Sequence, residues 1–98
     1  MKPLTSKQRA ELRRLAHRMK PVVIVGNEGV THAVVQSVKE AFNTRELLKI
    51  KSLESAPAPI REISNAIAAA LGDTQTVQTV GRTAILYRPD PEEPELLR

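Results

Sequence analysis

Prolines and glycines divide this chain into short segments that alternate between helical and strand patterns. Apolar residues recur at helical spacing in three segments, and runs rich in β-branched residues lie between and after them. The chain has 98 residues, which leaves room for one hydrophobic core and not for a second. The alternation therefore predicts a single compact α/β (α+β) domain in which helices pack on a sheet.

The helical segments have recognisable ends. Thr5 precedes the first segment and has Gln8 three residues later, which is the spacing of a capping box. Thr31 is a suitable N-cap for the second segment, and Gly72 ends the third. The predicted helices cover about residues 6–18, 31–43 and 60–71. The apolar stripe predicted for the first helix consists of Leu12, Leu15, Ala16 and Met19.

Four segments have strand character. The first is a β-branched run between Pro21 and Gly26, typical of a buried strand. A strand, a helix and a second strand predict a parallel pair with a right-handed crossover. The last two strands meet at Gly81-Arg82 and predict an antiparallel hairpin. The predicted strands cover residues 22–25, 46–52, 74–80 and 83–88. The order α-β-α-β-α-β-β implies a mixed four-stranded sheet.

Charge is unevenly distributed along the chain. The net charge is +4, but residues 1–20 hold seven basic side chains and one acid. Residues 90–98 are acidic and contain prolines, so we expect a domain over residues 1–89 and a tail without fixed structure. A basic amino-terminal segment is typical of proteins that bind a polyanion, although a solvated helix with many charges has the same composition.

The segment Gly26-Asn27-Glu28-Gly29 lies between a predicted strand and a predicted helix. Glycines at this spacing allow a tight turn and a close approach of a ligand backbone. The following helix offers free N–H groups and a partial positive charge, which together favour phosphate binding. A simple turn is the alternative interpretation, and the carboxylate of Glu28 opposes an anion. We expect Glu28 to point outward.

Further basic residues add to this hypothesis. Lys49 and Lys51 share one face of the second strand, where lysines either contact phosphates or protect an exposed sheet edge. Phe42 and Tyr87 are the only aromatic residues, so a nucleic acid would have to be bound mainly through its backbone rather than by stacking of bases. The candidate RNA-binding residues are Gly26, Asn27, Glu28, Gly29, Thr31, Arg14, Arg18, Lys20, Lys49, Lys51, Arg82 and Arg88.

Several classes of function have no support in the sequence. The chain lacks cysteine, and its two histidines, His17 and His32, are isolated from acidic residues, so neither a metal site nor a catalytic site is predicted. No P-loop or dinucleotide motif is present. We therefore expect no enzyme activity and no cofactor. No apolar run is long enough to cross a bilayer, and we expect a cytoplasmic protein without a membrane partner.

Several of these motifs, taken in series, resemble the YhbY-like bacterial CRM-domain family (chloroplast RNA splicing and ribosome maturation). The resemblance covers about residues 4–89. It is carried by residues 15–17, 20–23, 26–31, 46–51, 80–83 and 86–89. The resemblance implies a fold like the C-terminal domain of initiation factor three, and RNA binding through the Gly-x-x-G loop and neighbouring basic residues.

For stand-alone bacterial members, the resemblance also implies association with ribosomal RNA in precursors of the large ribosomal subunit. A role in ribosome biogenesis is therefore the first functional hypothesis. The alternative is a protein-interaction module that docks its basic first helix on an acidic partner. The oligomeric state is left open.

Overall fold

The protein is described here by a computed structural model that covers residues 2–97, so the ends of the predicted domain and tail, Met1 and Arg98, lie outside the described residues. The predicted order of elements is confirmed. The helices are α1 (Ser6–Ala16), α2 (His32–Ala41) and α3 (Ile60–Leu71). The strands are β1 (Pro21–Val25), β2 (Leu47–Ser52), β3 (Gln75–Val80) and β4 (Thr83–Tyr87).

The four strands form one mixed sheet in the order β1-β2-β4-β3. β1 and β2 are parallel, as the strand-helix-strand pattern predicts, and β3 and β4 form the predicted antiparallel hairpin. β4 inserts between β2 and β3 and runs antiparallel to both. The carboxyl ends of β1 and β2 therefore lie at the same end of the sheet as the β3–β4 turn, and this end is called the loop end below.

Local sequence explains where the helices begin. Thr5 and Gln8 form the predicted capping box: the Thr5 hydroxyl accepts from the Gln8 N–H at 3.1 Å, and the Gln8 side chain accepts from the Thr5 N–H at 3.0 Å. Thr31 caps α2 by accepting the N–H of Val34. Gly72 ends α3 with a φ of 70°, a conformation that glycine adopts without steric penalty.

The sheet is covered differently on its two faces. α2 and α3 pack on one face and bury Val25, Leu48, Ile50, Ala84 and Leu86 of the four-stranded sheet. On the other face, α1 covers a smaller cluster that includes Leu12 and Ala16 of the helix with Leu47 and Tyr87 of the sheet. The predicted stripe of α1 is thus partly confirmed, because Met19 lies beyond the helix and is exposed.

The prediction that β1 is a buried strand needs correction. β1 is an edge strand that pairs with β2 alone, and only Val25 is fully buried. Val22 and Ile24 are 40% and 59% exposed. α1 does not extend over this part of the sheet. β1 is therefore covered on one face only, although its run of β-branched residues is continuous.

The acidic tail, which the sequence predicts to lack fixed structure, lies against the domain. Residues 90–97 form no helix or strand, yet they contact the domain. The buried carboxylate of Glu46 accepts backbone N–H groups from Asp90, from Glu95 at 2.8 Å and from Leu96 at 2.9 Å. Leu96 and Leu97 pack against the α1 cluster. These polar and apolar contacts fix the position of the tail, and the composition of the tail does not reveal them.

Candidate nucleic-acid interface

The Gly-x-x-G loop forms a tight turn at the end of β1. The Gly29 N–H donates to the Gly26 carbonyl at 3.0 Å. Gly29 has a φ of 70°, and a Cβ at this position would lie 2.9 Å from Cγ of Pro57. Gly29 is therefore required by the turn itself, whereas a Cβ on Gly26 would make an ordinary contact with Leu53.

The loop presents two exposed side chains, Asn27 and Glu28, and leads into the start of α2. The Thr31 hydroxyl and carbonyl accept the N–H groups of Val34 and Val35 at 3.1 Å each. The first two N–H groups of the helix, on the exposed residues His32 and Ala33, have no carbonyl partner within the helix and can donate to an anion.

Two predicted cations lie at the loop end with the turn. Lys51, near the end of β2, is exposed and pairs in register with Ile24, two residues before Gly26. Arg82 lies in the β3–β4 turn, where its carbonyl accepts the Ser52 N–H at 2.8 Å. The loop, Lys51 and Arg82 therefore surround one end of the sheet.

Acidic groups reduce the positive charge at this end. The guanidinium of Arg82 lies 3.8 Å from the carboxylate of Glu54, and both side chains are mostly exposed. Glu28 is also exposed, as expected, and makes no ion pair or side-chain hydrogen bond with any residue in the range 2–97. Exposed pairs of this kind are weak, so Arg82 remains available to a phosphate.

The part of the sheet that α1 leaves uncovered forms a second surface at the loop end, here called the open face. Its outer row crosses all four strands in register, and its inner row lies beside α1. The outer row consists of Ile24, Lys51, Thr83 and Val80, and the inner row of Lys49, Ile85 and Gln78. Arg13 of α1 and His17, directly after α1, border the inner row across a groove of about 270 Å³.

Hydrogen bonds explain why α1 lies where it does. Early in the helix, the Arg9 guanidinium donates to the carbonyls of Thr76 and Val77 at 3.1 and 2.8 Å, where β3 carries a bulge. After the helix, the Lys49 ammonium donates to the His17 carbonyl at 3.3 Å. α1 is thus attached at β3 and at β2 and lies across the sheet, leaving the loop end open.

Three other predicted residues are not brought to the loop, whereas a fourth, Arg88, shares a groove with the start of α2. Lys20 precedes β1, at the opposite end of that strand, and Arg18 lies in the exposed turn after α1. Arg14 forms an ion pair with Glu11, which raises the pKa of the guanidinium and lowers that of the carboxyl through their hydrogen bond. Arg88 follows β4, and its partly buried side chain lines a groove together with Thr31 and His32 at the start of α2 and with the end of α3.

Sequence reasoning missed the open face as a unit. Arg13, Gln78, Thr83 and Val80 were not singled out, because their proximity depends on the strand order and on the path of α1. The one sequence signal for this surface is the alternation of side chains along β1, which places Ile24 on the other face of the sheet from the buried Val25.

Within residues 2–97, no three histidine, cysteine or acidic side chains lie close enough to hold a metal ion. In the same part of the chain, no helix has the length and apolarity needed to cross a membrane.

The chain matches the CRS1/YhbY (CRM) domain over residues 4–88. It belongs to the CRM-domain family. This confirms the resemblance drawn from the sequence, including its extent, and the family assignment agrees with the observed fold.

Relatives with similar lengths share most of the domain. The chain is 38% identical over 92 residues to an "RNA-binding protein" of Haemophilus influenzae, covering 94% of this chain and 92% of the relative. It is 32% identical over 93 residues to "Probable RNA-binding protein YqeI" of Bacillus subtilis, covering 95% and 96% of the two chains. These relatives are named for RNA binding and not for an enzymatic activity.

A solved structure confirms the fold. The solution structure of the hypothetical protein SAV1595 from Staphylococcus aureus, an RNA-binding candidate, superimposes with a TM-score of 0.76 at 28% identity. The superposition covers 96% of this CRM-domain chain and 99% of the other. The predicted α+β domain with a mixed four-stranded sheet is therefore correct.

Proposed function

We propose that this CRM-domain protein is a non-catalytic RNA-binding factor that acts on ribosomal RNA in precursors of the large ribosomal subunit, in the cytoplasm. The observation that supports it most is the common position of the Gly-x-x-G turn, the start of α2, Lys51 and Arg82 at one end of the sheet. The names of the relatives support RNA as the partner, and the ribosomal step follows from the family resemblance.

The proposed contact is with the RNA backbone. The exposed N–H groups at the start of α2 and the side chain of Asn27 can donate to phosphate oxygens, and Lys51 and Arg82 supply positive charge. Phosphate contacts of this kind fix the position of the RNA without reading its sequence. Affinity is therefore expected to fall steeply as the salt concentration rises.

The structure guides the choice of variants for a test. Changing Gly29 would disturb the turn because of its positive φ and its contact with Pro57, so loss of binding there would not identify the site. Asn27→Asp places a negative charge in the exposed loop without altering a glycine. We expect this variant to bind RNA several-fold more weakly than the wild type and Glu28→Gln to bind more tightly.

The mechanism is tested by the salt dependence of binding to a ribosomal RNA fragment. Lys51→Gln and Arg82→Gln should each reduce the slope of log K against log[salt] by about 0.7–0.9, the value expected per phosphate contact. Arg45→Gln, an exposed change just before β2 at the opposite end of the sheet, is the matched control and should leave the slope unchanged. Affinity that does not change with salt would contradict the proposed mechanism.

The cellular role is tested by sedimentation of a lysate through a sucrose gradient. We expect the protein to migrate with precursors of the large subunit, and Asn27→Asp to shift it to the top fractions. Migration that survives complete removal of RNA by nuclease would instead support binding to a protein through the basic α1.

A further inference from the structure

The open face carries the two most exposed large apolar side chains among residues 2–97. Val80 is 64% exposed and Ile24 is 59% exposed, and the register places them in the same row across the sheet. Lys51 and Thr83 lie between them. The row therefore has apolar surface at both ends and groups that donate hydrogen bonds in the middle.

The groove beside α1 adds polar groups to this surface. Ile85 is 7% exposed and is one of the apolar residues that line the groove, while the Gln78 amide offers both donors and an acceptor. Arg13 borders the groove from α1, and a guanidinium plane can stack on a flat ring. The groove thus combines apolar contact with both kinds of hydrogen-bonding group.

Charge on this surface has a single sign. The ionisable side chains on the open face and along its groove are Lys49, Lys51, Arg13 and His17. No acidic side chain lies in either row or among the residues that line the groove. A surface with exposed apolar side chains, whose own ionisable groups are all basic, matches a ligand that is anionic along its backbone and carries flat apolar groups.

We propose that the open face binds unpaired nucleobases of RNA, whose rings pack on Ile24 and Val80 while Lys49 and Lys51 contact the flanking phosphates. This inference rests on the proposed RNA-binding function and deepens it. Phosphate contacts at the Gly-x-x-G loop do not distinguish paired from unpaired RNA, whereas the open face does. In a duplex the base faces are stacked inside the helix and cannot reach the sheet.

Fluorescence anisotropy with a labelled oligouridylate and with an RNA duplex of the same length tests this preference. We expect tighter binding of the single strand. Ile24→Ser combined with Val80→Ser should weaken single-strand binding by about fivefold to tenfold, a modest value for removing contacts with one or two bases. Duplex binding, which depends on the loop, should remain unchanged.

Two further variants separate binding from folding. Val80→Tyr supplies an aromatic ring at the exposed position and should increase single-strand affinity by about tenfold, an effect that misfolding cannot produce. Met19→Ser removes an exposed apolar side chain beside the acidic tail, away from the open face, and is the matched control that should have no effect.

The outcomes distinguish this inference from the proposed function. If single strand and duplex bind equally, and neither open-face variant changes either affinity, the inference is wrong while RNA binding stands. If neither RNA binds, the proposed function fails and the inference with it. If the double serine variant dissociates a dimer without changing RNA affinity, the open face is an interface between copies of the chain.

Discussion

The two faces of the sheet are covered to different extents, and the difference separates the hydrophobic core from the surface proposed to bind RNA. On one face, α2 and α3 bury a continuous apolar surface contributed by all the strands except β3. On the other, α1 and the acidic tail cover one half, and the half at the loop end stays open. Ile50 and Ile24 have the same side chain, yet Ile50 is buried and Ile24 is exposed, because only Ile50 lies under a helix.

The largest expected effect compares these two isoleucines. Ile50 is fully buried between the sheet and the two helices, so Ile50→Ala should lower the free energy of unfolding by about 2–5 kcal/mol. Ile24→Ala on the open face should lower it by no more than about 1 kcal/mol. Urea denaturation of both variants measures the difference. Similar losses would show that the open face is covered in solution.

A second prediction concerns the covered half of the α1 face, where the tail packs against the α1 cluster. Glu46→Ala removes the acceptor of three backbone N–H groups and should lower stability by about 1–3 kcal/mol. The released tail should then be cut by proteases more rapidly than in the wild type. Glu92→Ala, a change at an exposed tail residue, is the control. Equal cleavage in Glu46→Ala and wild type would contradict the role of Glu46.

Two arginines of α1 sharpen the comparison further. Arg9 donates to two carbonyls at the bulge of β3, so Arg9→Leu should lower stability by about 1–2 kcal/mol. Arg13 is exposed beside the groove, and Arg13→Leu should change stability by less than about 0.5 kcal/mol while weakening RNA binding. Thermal unfolding and RNA titration of the two variants should therefore give opposite rankings.

The smallest expected effect is a pH dependence of stability that arises from Tyr87, in the half of the sheet face that α1 and the tail cover. Burial, and secondarily the nearby charge of Glu46, raise the pKa of Tyr87 above its usual value of 10.0. Because the folded state favours the neutral phenol, this contribution to stability is present below pH 10 and is lost as the pH rises through the folded pKa. Tyr87 is the only tyrosine, so phenolate absorbance reports its titration directly.

Glu46→Gln provides a check on this assignment. The substitution removes the secondary cause while leaving most of the burial in place, so the pKa of Tyr87 should move toward its ordinary value without reaching it. A titration unchanged by the substitution would assign the whole shift to burial.

Local signals were sufficient for the elements and the family. The capping box of Thr5 and Gln8, the Gly81-Arg82 hairpin and the strand-helix-strand unit depend on neighbours in sequence, and the structure confirms each of them. The buried assignment for β1 was wrong because burial depends on what covers a strand. The attachment of the tail depends on Glu46, which lies about fifty residues away in sequence.

Only part of the candidate site could be predicted, because the rest depends on contacts between segments that are distant in sequence. The turn, Thr31, Lys51 and Arg82 lie at element ends that meet at one end of the sheet. Arg14, Arg18 and Lys20 were predicted from charge alone, and their distance from the loop follows from the path of the chain. Arg88 lies in one groove with Thr31. Which of the candidate residues contact RNA stays a prediction until the variants above are measured.

The contact between Pro57 and the turn has a kinetic consequence. Pro57 packs where a side chain on Gly29 would lie, and the Leu53 N–H donates to the Val25 carbonyl at 2.8 Å immediately before the turn. The segment before α3 thus holds the loop in place, and the proposed binding of RNA there would cost little backbone entropy. Association should be limited by diffusion and electrostatic steering rather than by a slow ordering step, with a rate that falls as salt is added.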